Sequence, residues 1–262
     1  MHAIRRTAYA ASLSIVIGAT AGCAASPAKA PTTAAASPSG PATTQSATAG
    51  SNPPGASAPA MTLTAGPLSQ GQLEGVLLST VSGLERDPSS DDMGLDDVKY
   101  AAKSGGPECG VFLDAINQSA TAYHPAAEVD LGYQLSGLQG AEVTTLMTSY
   151  SSAAAAQRVL DDARTGAEHC PDVTYVLNGN SLAYHDVTIV TTSGADGAST
   201  GFRTTFSANG NAPTPVTMET FQVGTVALNV SVYNDPDPAG VLQKASGAAI
   251  DQLREIEGAQ LP

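Results

Sequence analysis

Tryptophan is absent from the 262 residues and phenylalanine occurs only four times, so little is available for a broad aromatic platform of the kind that stacks on sugars. Tyr123, Tyr133 and Tyr184 are the candidates that remain for such a surface. Basic residues are also scarce: 11 Lys and Arg face 24 Asp and Glu, a formal net charge of −13. That balance repels phosphate backbones and anionic headgroups, which excludes nucleic acid as a partner and otherwise favours solubility. Beyond His2, histidine is limited to His124, His169 and His185, and no two of these have metal-ligand spacing. No metal and no cofactor is expected. No apolar run reaches the ~20 residues needed to span a bilayer.

What is present starts with MHAIRRTAYAA, which carries Arg5 and Arg6 and no acid, followed by an apolar stretch to about Ala19. This is a positively charged start and a short apolar segment of signal-peptide character. It closes on Thr20-Ala21-Gly22-Cys23. That ending resembles the bacterial lipobox, in which the cysteine thiol takes a lipid and becomes the first mature residue, although Thr20 stands where Leu is usual. Residues 1–22 are therefore read as a lipoprotein signal peptide and Cys23 as the lipidation site. The alternative is an ordinary secretory signal with an incidental cysteine. Removal of Arg5 and Arg6 takes the net charge from −13 to −15.

Cysteine parity agrees. The chain has three, Cys23, Cys109 and Cys170, and an odd count in an exported protein leaves one thiol over. If Cys23 carries the lipid, Cys109 and Cys170 are left to pair in an oxidising envelope, the alternative being two buried free thiols. A loop of about 60 residues closed this way is worth ~4 kcal/mol by chain entropy.

From Ala24 to about Ala60 the chain is Ala, Ser, Thr, Pro and Gly, with Lys29 its only charge. It has no hydrophobic period and nothing to bury, so 23–61 is read as the lipidated cysteine and a disordered stalk. As a flexible coil it spans ~30–35 Å, enough to hold a domain clear of the membrane.

Residues 62–262 are long enough for a single core. Leu68 to Val81 predicts a helix with Leu73, Val76, Leu77 and Thr80 on one face. An acidic loop, DPSSDDMGLDD, follows, and ECGVFLDAI around Cys109 predicts a short helix. EVDLGYQL alternates Val129, Leu131, Tyr133 and Leu135 on one face, the pattern of a half-buried strand, and AEVTTLMTSY continues as a second. SSAAAAQRVLDDARTGAEHC is a helix with Ala156, Val159, Leu160, Ala163 and Ala167 as its stripe. Strand-like runs follow at VTYVL, LAYHDVTIVTT, GFRTTFSA, VTMETFQV and TVALNVSVY, the middle ones separated by turn-rich segments. Asp237 and Pro238 open a last helix carrying Leu242, Ala245, Ala249, Leu253 and Ile256. Closely spaced late strands imply hairpins, so the class is α+β: a mainly antiparallel sheet packed with helices, a two-layer sandwich, in one domain after the stalk.

This order, with an N-terminal helix, a Cys before the first strands, an Ala-rich helix ending in a second Cys, and VGTVALNVSVY ahead of a final helix, resembles the extracellular sensor domain of the PknH-type serine/threonine kinases of mycobacteria. That domain also occurs in free lipoproteins of actinobacteria. The likeness covers roughly Leu68 to Leu261. It implies a two-layer α/β domain with a large cleft for an unidentified ligand. The kinase sensor has two disulfides, whereas Cys109 and Cys170 allow one here. No kinase domain accompanies this chain.

The candidates for chemistry are few. GASTG at 197–201 fits G-x-S-x-G, with Ser199 as nucleophile, but that chemistry needs a strand-to-helix elbow and both flanks here are strand-like, so a Gly-rich hairpin loop is the better reading. His124 precedes Pro125 in a loop. His169 beside Cys170 suggests a metal pair, yet disulfide formation removes the thiol. His185 in LAYHDVTIV alternates with Val187 and Ile189 and so falls on an apolar face, which makes it the candidate polar group of a ligand cleft, against the plainer reading of a satisfied core or edge histidine. Asp87, Asp91, Asp92, Asp96 and Asp97 lack the ordered alternation of a calcium loop and read as solvated. The whole predicts a non-enzymatic, membrane-anchored lipoprotein on the extracytoplasmic face, binding an unknown small molecule or envelope protein. An envelope hydrolase using Ser199 or His185, and a structural lipoprotein without a small-molecule site, are the alternatives.

Overall fold

The computed structural model describes residues 66–93, 101–177, 179–190 and 199–258. The signal peptide, Cys23, the stalk, Asp96 and Asp97 lie outside the described residues.

In chain order the elements are helix α1 (Gln70–Glu74), a 3-10 turn (Leu78–Thr80), strands β1 (Leu84–Arg86), β2 (Asp92–Met93) and β3 (Ala101–Ala102), helices α2 (Pro107–Ile116) and α3 (Ala120–Tyr123), strands β4 (Ala127–Leu135) and β5 (Glu142–Ser149), helix α4 (Ala153–His169), strands β6 (Val173–Leu177), β7 (Asn180–Val190), β8 (Ser199–Ala208), β9 (Thr214–Val223) and β10 (Val226–Tyr233), and helix α5 (Pro238–Gly258). The strands form one sheet in the order β1-β4-β5-β10-β9-β8-β7-β6-β3, with β2 also on β4. Every pairing is antiparallel. The expected α+β class holds.

The long strands follow from side-chain alternation. On β4, Val129, Leu131 and Tyr133 are buried on one face, and on β10 Val226, Leu228, Val230 and Val232 share that face across β5. We call it the outer face. It packs against Leu242, Ala245, Ala249, Ile250 and Leu253 of α5 and Leu73 of α1. The inner face is covered by α2 and α4, where Phe112, Ala156, Val159, Leu160 and Ala163 meet Tyr184, Phe202 and Met218. A two-layer stack therefore describes either half of the sheet, and at β9 and β10 helices lie on both faces.

The helix ends are chemically marked. Ser152 Oγ accepts the Ala155 N–H at 3.2 Å to start α4. Pro107 occupies the first turn of α2 and Pro238 that of α5. Cys109 in α2 and Cys170 just past α4 are disulfide-bonded, with Cα atoms 5.1 Å apart, as parity implied. This staple ties the two inner helices together where β6 begins.

Three expectations are corrected. The helix over 68–81 shrinks to α1 and a 3-10 turn: Gly71 and Gly75 weaken its interior, and Leu68, Val76 and Leu78 are buried from irregular backbone instead. The acidic segment is not simply solvated. It follows directly on β1 and contains β2, both paired with β4, Arg86 binds Asp91 at 2.7 Å, and Gln134 Nε2 donates to Asp87 at 2.9 Å. The third concerns β7. The pairing of β7 with β8 slips between His185 and Thr188, with Asp186 at φ +56°. This bulge lets Tyr184 and, after it, Val187 and Ile189 all point inward, and leaves His185 on the outer face.

Candidate functional site

Sheet register brings together residues that are far apart in sequence. Across the inner face one row runs Gly132, Thr144, Ser231, Met218, and the next runs Gln134, Glu142, Tyr233, Val216. Asp130 and Leu146 precede them beside Asn229. Side chains on the inner face of a sheet are usually apolar where they are buried, but Asn229, Ser231 and Thr220 are 4%, 5% and 0% exposed. They satisfy one another: Ser231 Oγ donates to Asn229 Oδ1 at 2.9 Å, and Asn229 Nδ2 donates to Thr220 Oγ1 at 3.1 Å.

Beside this polar strip lies an aromatic floor. Tyr184 of β7 stacks on Tyr175 at 6.1 Å and meets Phe206 at 5.2 Å, while Phe112 of α2 stands edge-on to Tyr184 and Phe202. Burial drives the Tyr184 hydroxyl well above its usual range, reinforced by Tyr175. The Tyr233 hydroxyl is raised by burial, then by Tyr184 and Asp130, and Glu142 adds to this while Thr144 hydrogen-bonds against it. Register sets Glu142 directly opposite Tyr233 and Thr144 one row before it, so these three stand together on the inner face, while Asp130 on β4 and Tyr184 on β7 act on Tyr233 from opposite sides. The Glu142 carboxyl is itself raised, first by burial and then by Asp87. A hollow of about 10 Å³, room for about one water, opens beside it between Asp87, Ser90, Gln134, Glu142 and Thr144.

Chemically, this site offers neutral phenols, a hydroxyl and carboxylates over aromatic rings. Such groups orient a bound molecule by hydrogen bonds and stacking. Nucleophilic catalysis would need a nucleophile within hydrogen-bond reach of a base. The candidates for that are not assembled: Ser199 begins β8 opposite Phe221, whereas His185 lies opposite Thr205 on the same face, six residues along the strand. At about 3.3 Å per residue that separates them by roughly 20 Å. Ser199 also sits in strand, with strand continuing after it, so the elbow is missing. Gly197 and Ala198 lie outside the described residues.

The other sequence candidates take separate places. His185 is half-exposed, its Nδ1 3.3 Å from Asp172 Oδ1, and its carbonyl accepts from Thr204 Oγ1 at 2.7 Å. It is not a core histidine. His124 caps α3 in a left-handed conformation and is exposed, and His169 Nδ1 lies 2.9 Å from the Thr165 carbonyl. Among the described residues no cluster of His, Cys, Asp and Glu could hold a metal ion. Of the three tyrosines considered for stacking, Tyr133 is committed to the outer core and accepts the Leu78 N–H at 3.2 Å, and Tyr123 donates to Asp162 beneath Arg158. Only Tyr184 belongs to the aromatic floor beside Tyr233. Sequence reading passed over Tyr233, Asp130 and Thr144.

No family model and no curated protein matches the chain. Among solved structures, the extracellular domain of PknH from Mycobacterium tuberculosis is similar over 72% of this chain and 98% of its own, at 15% identity and a TM-score of 0.51. An uncharacterized Rv0999 ortholog from Mycobacterium smegmatis matches over 70% of this chain and 95% of its own, at 10% identity and a TM-score of 0.39. The fold of this chain is PknH-like.

Proposed function

We propose that this chain is a lipid-anchored protein of the cell envelope, on the extracytoplasmic face, whose 62–262 domain binds a small molecule or an envelope protein and carries out no reaction of its own. The observation that carries this reading is the grouping of Tyr233, Glu142 and Thr144 on the inner face, polar groups beside the aromatic cluster of Tyr184, Tyr175 and Phe206. The likeness to an extracellular kinase domain supports the compartment and the sensor-like role. The lipobox-like ending at Cys23 supports the anchor.

Native protein extracted from membranes and the variant Thr144→Val/Tyr233→Phe, which loses two hydroxyls and little volume, provide the test. Mass spectrometry of the small molecules released on denaturation is expected to show a species in the native protein that the variant does not retain. Identical profiles, or no bound species alongside no ligand-dependent rise in melting temperature, would overturn the small-molecule reading. Labelling of the domain by a serine-reactive probe would overturn the non-enzymatic one.

A further inference from the structure

A deeper polar group occupies the other end of the inner face. There Glu128 of β4 lies directly opposite Thr148 of β5, and Tyr150 follows two residues later with its side chain on the same face. Gln118, at the junction between α2 and α3 with φ +49°, reaches onto this strand and donates its Nε2 to the Leu146 carbonyl at 3.4 Å. Gln118, Thr148 and Tyr150 are each 0% exposed, and Glu128 is 2% exposed. Yet Gln118 Oε1, Thr148 Oγ1 and Tyr150 OH have no hydrogen-bond partner in the protein. The Tyr150 hydroxyl is raised by burial first and then by the charge of Glu128, while hydrogen bonding toward Thr148 works against it, so the two hydroxyls face each other although no direct bond closes between them.

Buried polar atoms without partners are rare in folded proteins, and three where the α2–α3 junction meets the end of β5 call for a guest. We propose that the space between the α2–α3 junction and strands β4 and β5 is an internal hydration site, filled by ordered water bridging Gln118 Oε1, Thr148 Oγ1 and Tyr150 OH. The donor inventory selects the guest. Gln118 Oε1 only accepts, so the guest must donate, and each of the two hydroxyls can then accept from it or donate to it. An anion fails this requirement and is repelled by Glu128. Water meets it and is small enough for an interior site. The inner helix pair, stapled to β6 by the Cys109–Cys170 disulfide, thus rests on β5 through a hydrated joint at its far end. This site does not depend on the ligand reading above.

Thermal unfolding of the full chain and of Tyr150→Phe, Thr148→Val and their combination gives a result whose sign decides. If water bridges the hydroxyls, each single variant loses a bonded partner and its melting temperature falls by roughly 2–6 °C. The double variant falls by less than the sum, because both changes remove the same water. If nothing is bound, deleting an orphaned hydroxyl relieves its burial cost, and an unchanged or raised melting temperature overturns the proposal. NMR cross-relaxation on the wild-type protein provides the second readout: a long-lived water contacting the Gln118 side-chain amide and the Thr148 methyl, lost in Tyr150→Phe, is expected, and no such contact overturns it. A melting temperature that follows the identity of the alkali cation, sodium against potassium, overturns water in favour of an ion.

Discussion

Replacing Gly166 by alanine tests the packing that holds the inner helices in place. Gly166 is buried in α4, and a Cβ built there meets backbone of α2: the Phe112 N and Cα at 2.7 Å and its Cβ at 2.8 Å. Carbon atoms in good contact stand ~3.5–4.0 Å apart, so α2 must back away by about 1 Å. It cannot do so freely, because Cys109 anchors it and the Phe112 ring is wedged edge-on against Tyr184 and Phe202. Overpacking of this kind costs ~1–3 kcal/mol. The better helix propensity of alanine returns up to ~1 kcal/mol. With a backbone obstacle the larger cost applies, and a net loss of about 1–2 kcal/mol lowers the melting temperature by about 2–8 °C. Gly110 on α2 is the control, since nothing lies within 4 Å of a Cβ there and Gly110→Ala is expected to leave stability unchanged or raise it. Calorimetry on both variants checks the reasoning. Equal melting temperatures for Gly166→Ala and Gly110→Ala would refute the close helix crossing.

Four further outcomes are expected. Intact-mass analysis of a protein starting near Thr62 should come out two protons lighter than its reduced form, and Cys109→Ser/Cys170→Ser should lose ~4 kcal/mol or less in denaturant unfolding; two freely alkylatable thiols after unfolding without reductant would contradict the bond. Cys23→Ala should move the protein from the membrane fraction to the soluble one, and retention in membranes would argue for an uncleaved anchor. His185→Ala should scarcely move the melting temperature, since the pair with Asp172 is half-exposed and such pairs are worth ~0–1 kcal/mol; a large loss of stability would return His185 to a structural role. Glu142→Gln should raise the melting temperature at pH 7. The folded-state pKa of Glu142 is raised, so its protonated form favours the native state, and that contribution is present at low pH and lost as pH rises through the folded pKa. The gain should therefore shrink on acidification, and a gain independent of pH would point to packing instead.

Where a segment has one buried side and one exposed side, its pattern was enough to place it. The stripe Ala156, Val159, Leu160, Ala163 and Ala167 is buried in full, and the stripe Leu242, Ala245, Ala249, Leu253 and Ile256 is buried in all but Ile256, which is partly buried near the helix end. Segments that depart from a single period were misread, each for a stated reason. Between Leu68 and Leu78 the buried residues come from capped turns, where Gln72 takes the Ser69 N–H at 2.9 Å and Gly75 ends the helix, so helical spacing over 14 residues was coincidental. The strands β1 and β2 are too short to show alternation, and exist because β4 offers an edge. At His185 the apolar alternation with Val187 and Ile189 was real in sequence but broken in space by the bulge at Asp186.

The convergent site was illegible for a different reason. In VALNVSVY the apolar face of Val226, Leu228, Val230 and Val232 stands out, and the other face, Ala227, Asn229, Ser231 and Tyr233, has the composition of a solvated one. Whether that second face meets water depends on where the strand sits in the sheet. β10 lies between β5 and β9, with α4 above its inner face and α5 below its outer face, and there Asn229 and Ser231 are buried although polar. Burying such groups is costly unless each has a partner, and they are bonded to one another and to Thr220. A polar face that the fold buries in mid-sheet is thus hidden in the composition of its own strand. It becomes visible only when pairing register sets Glu142 opposite Tyr233 and Thr144 opposite Ser231.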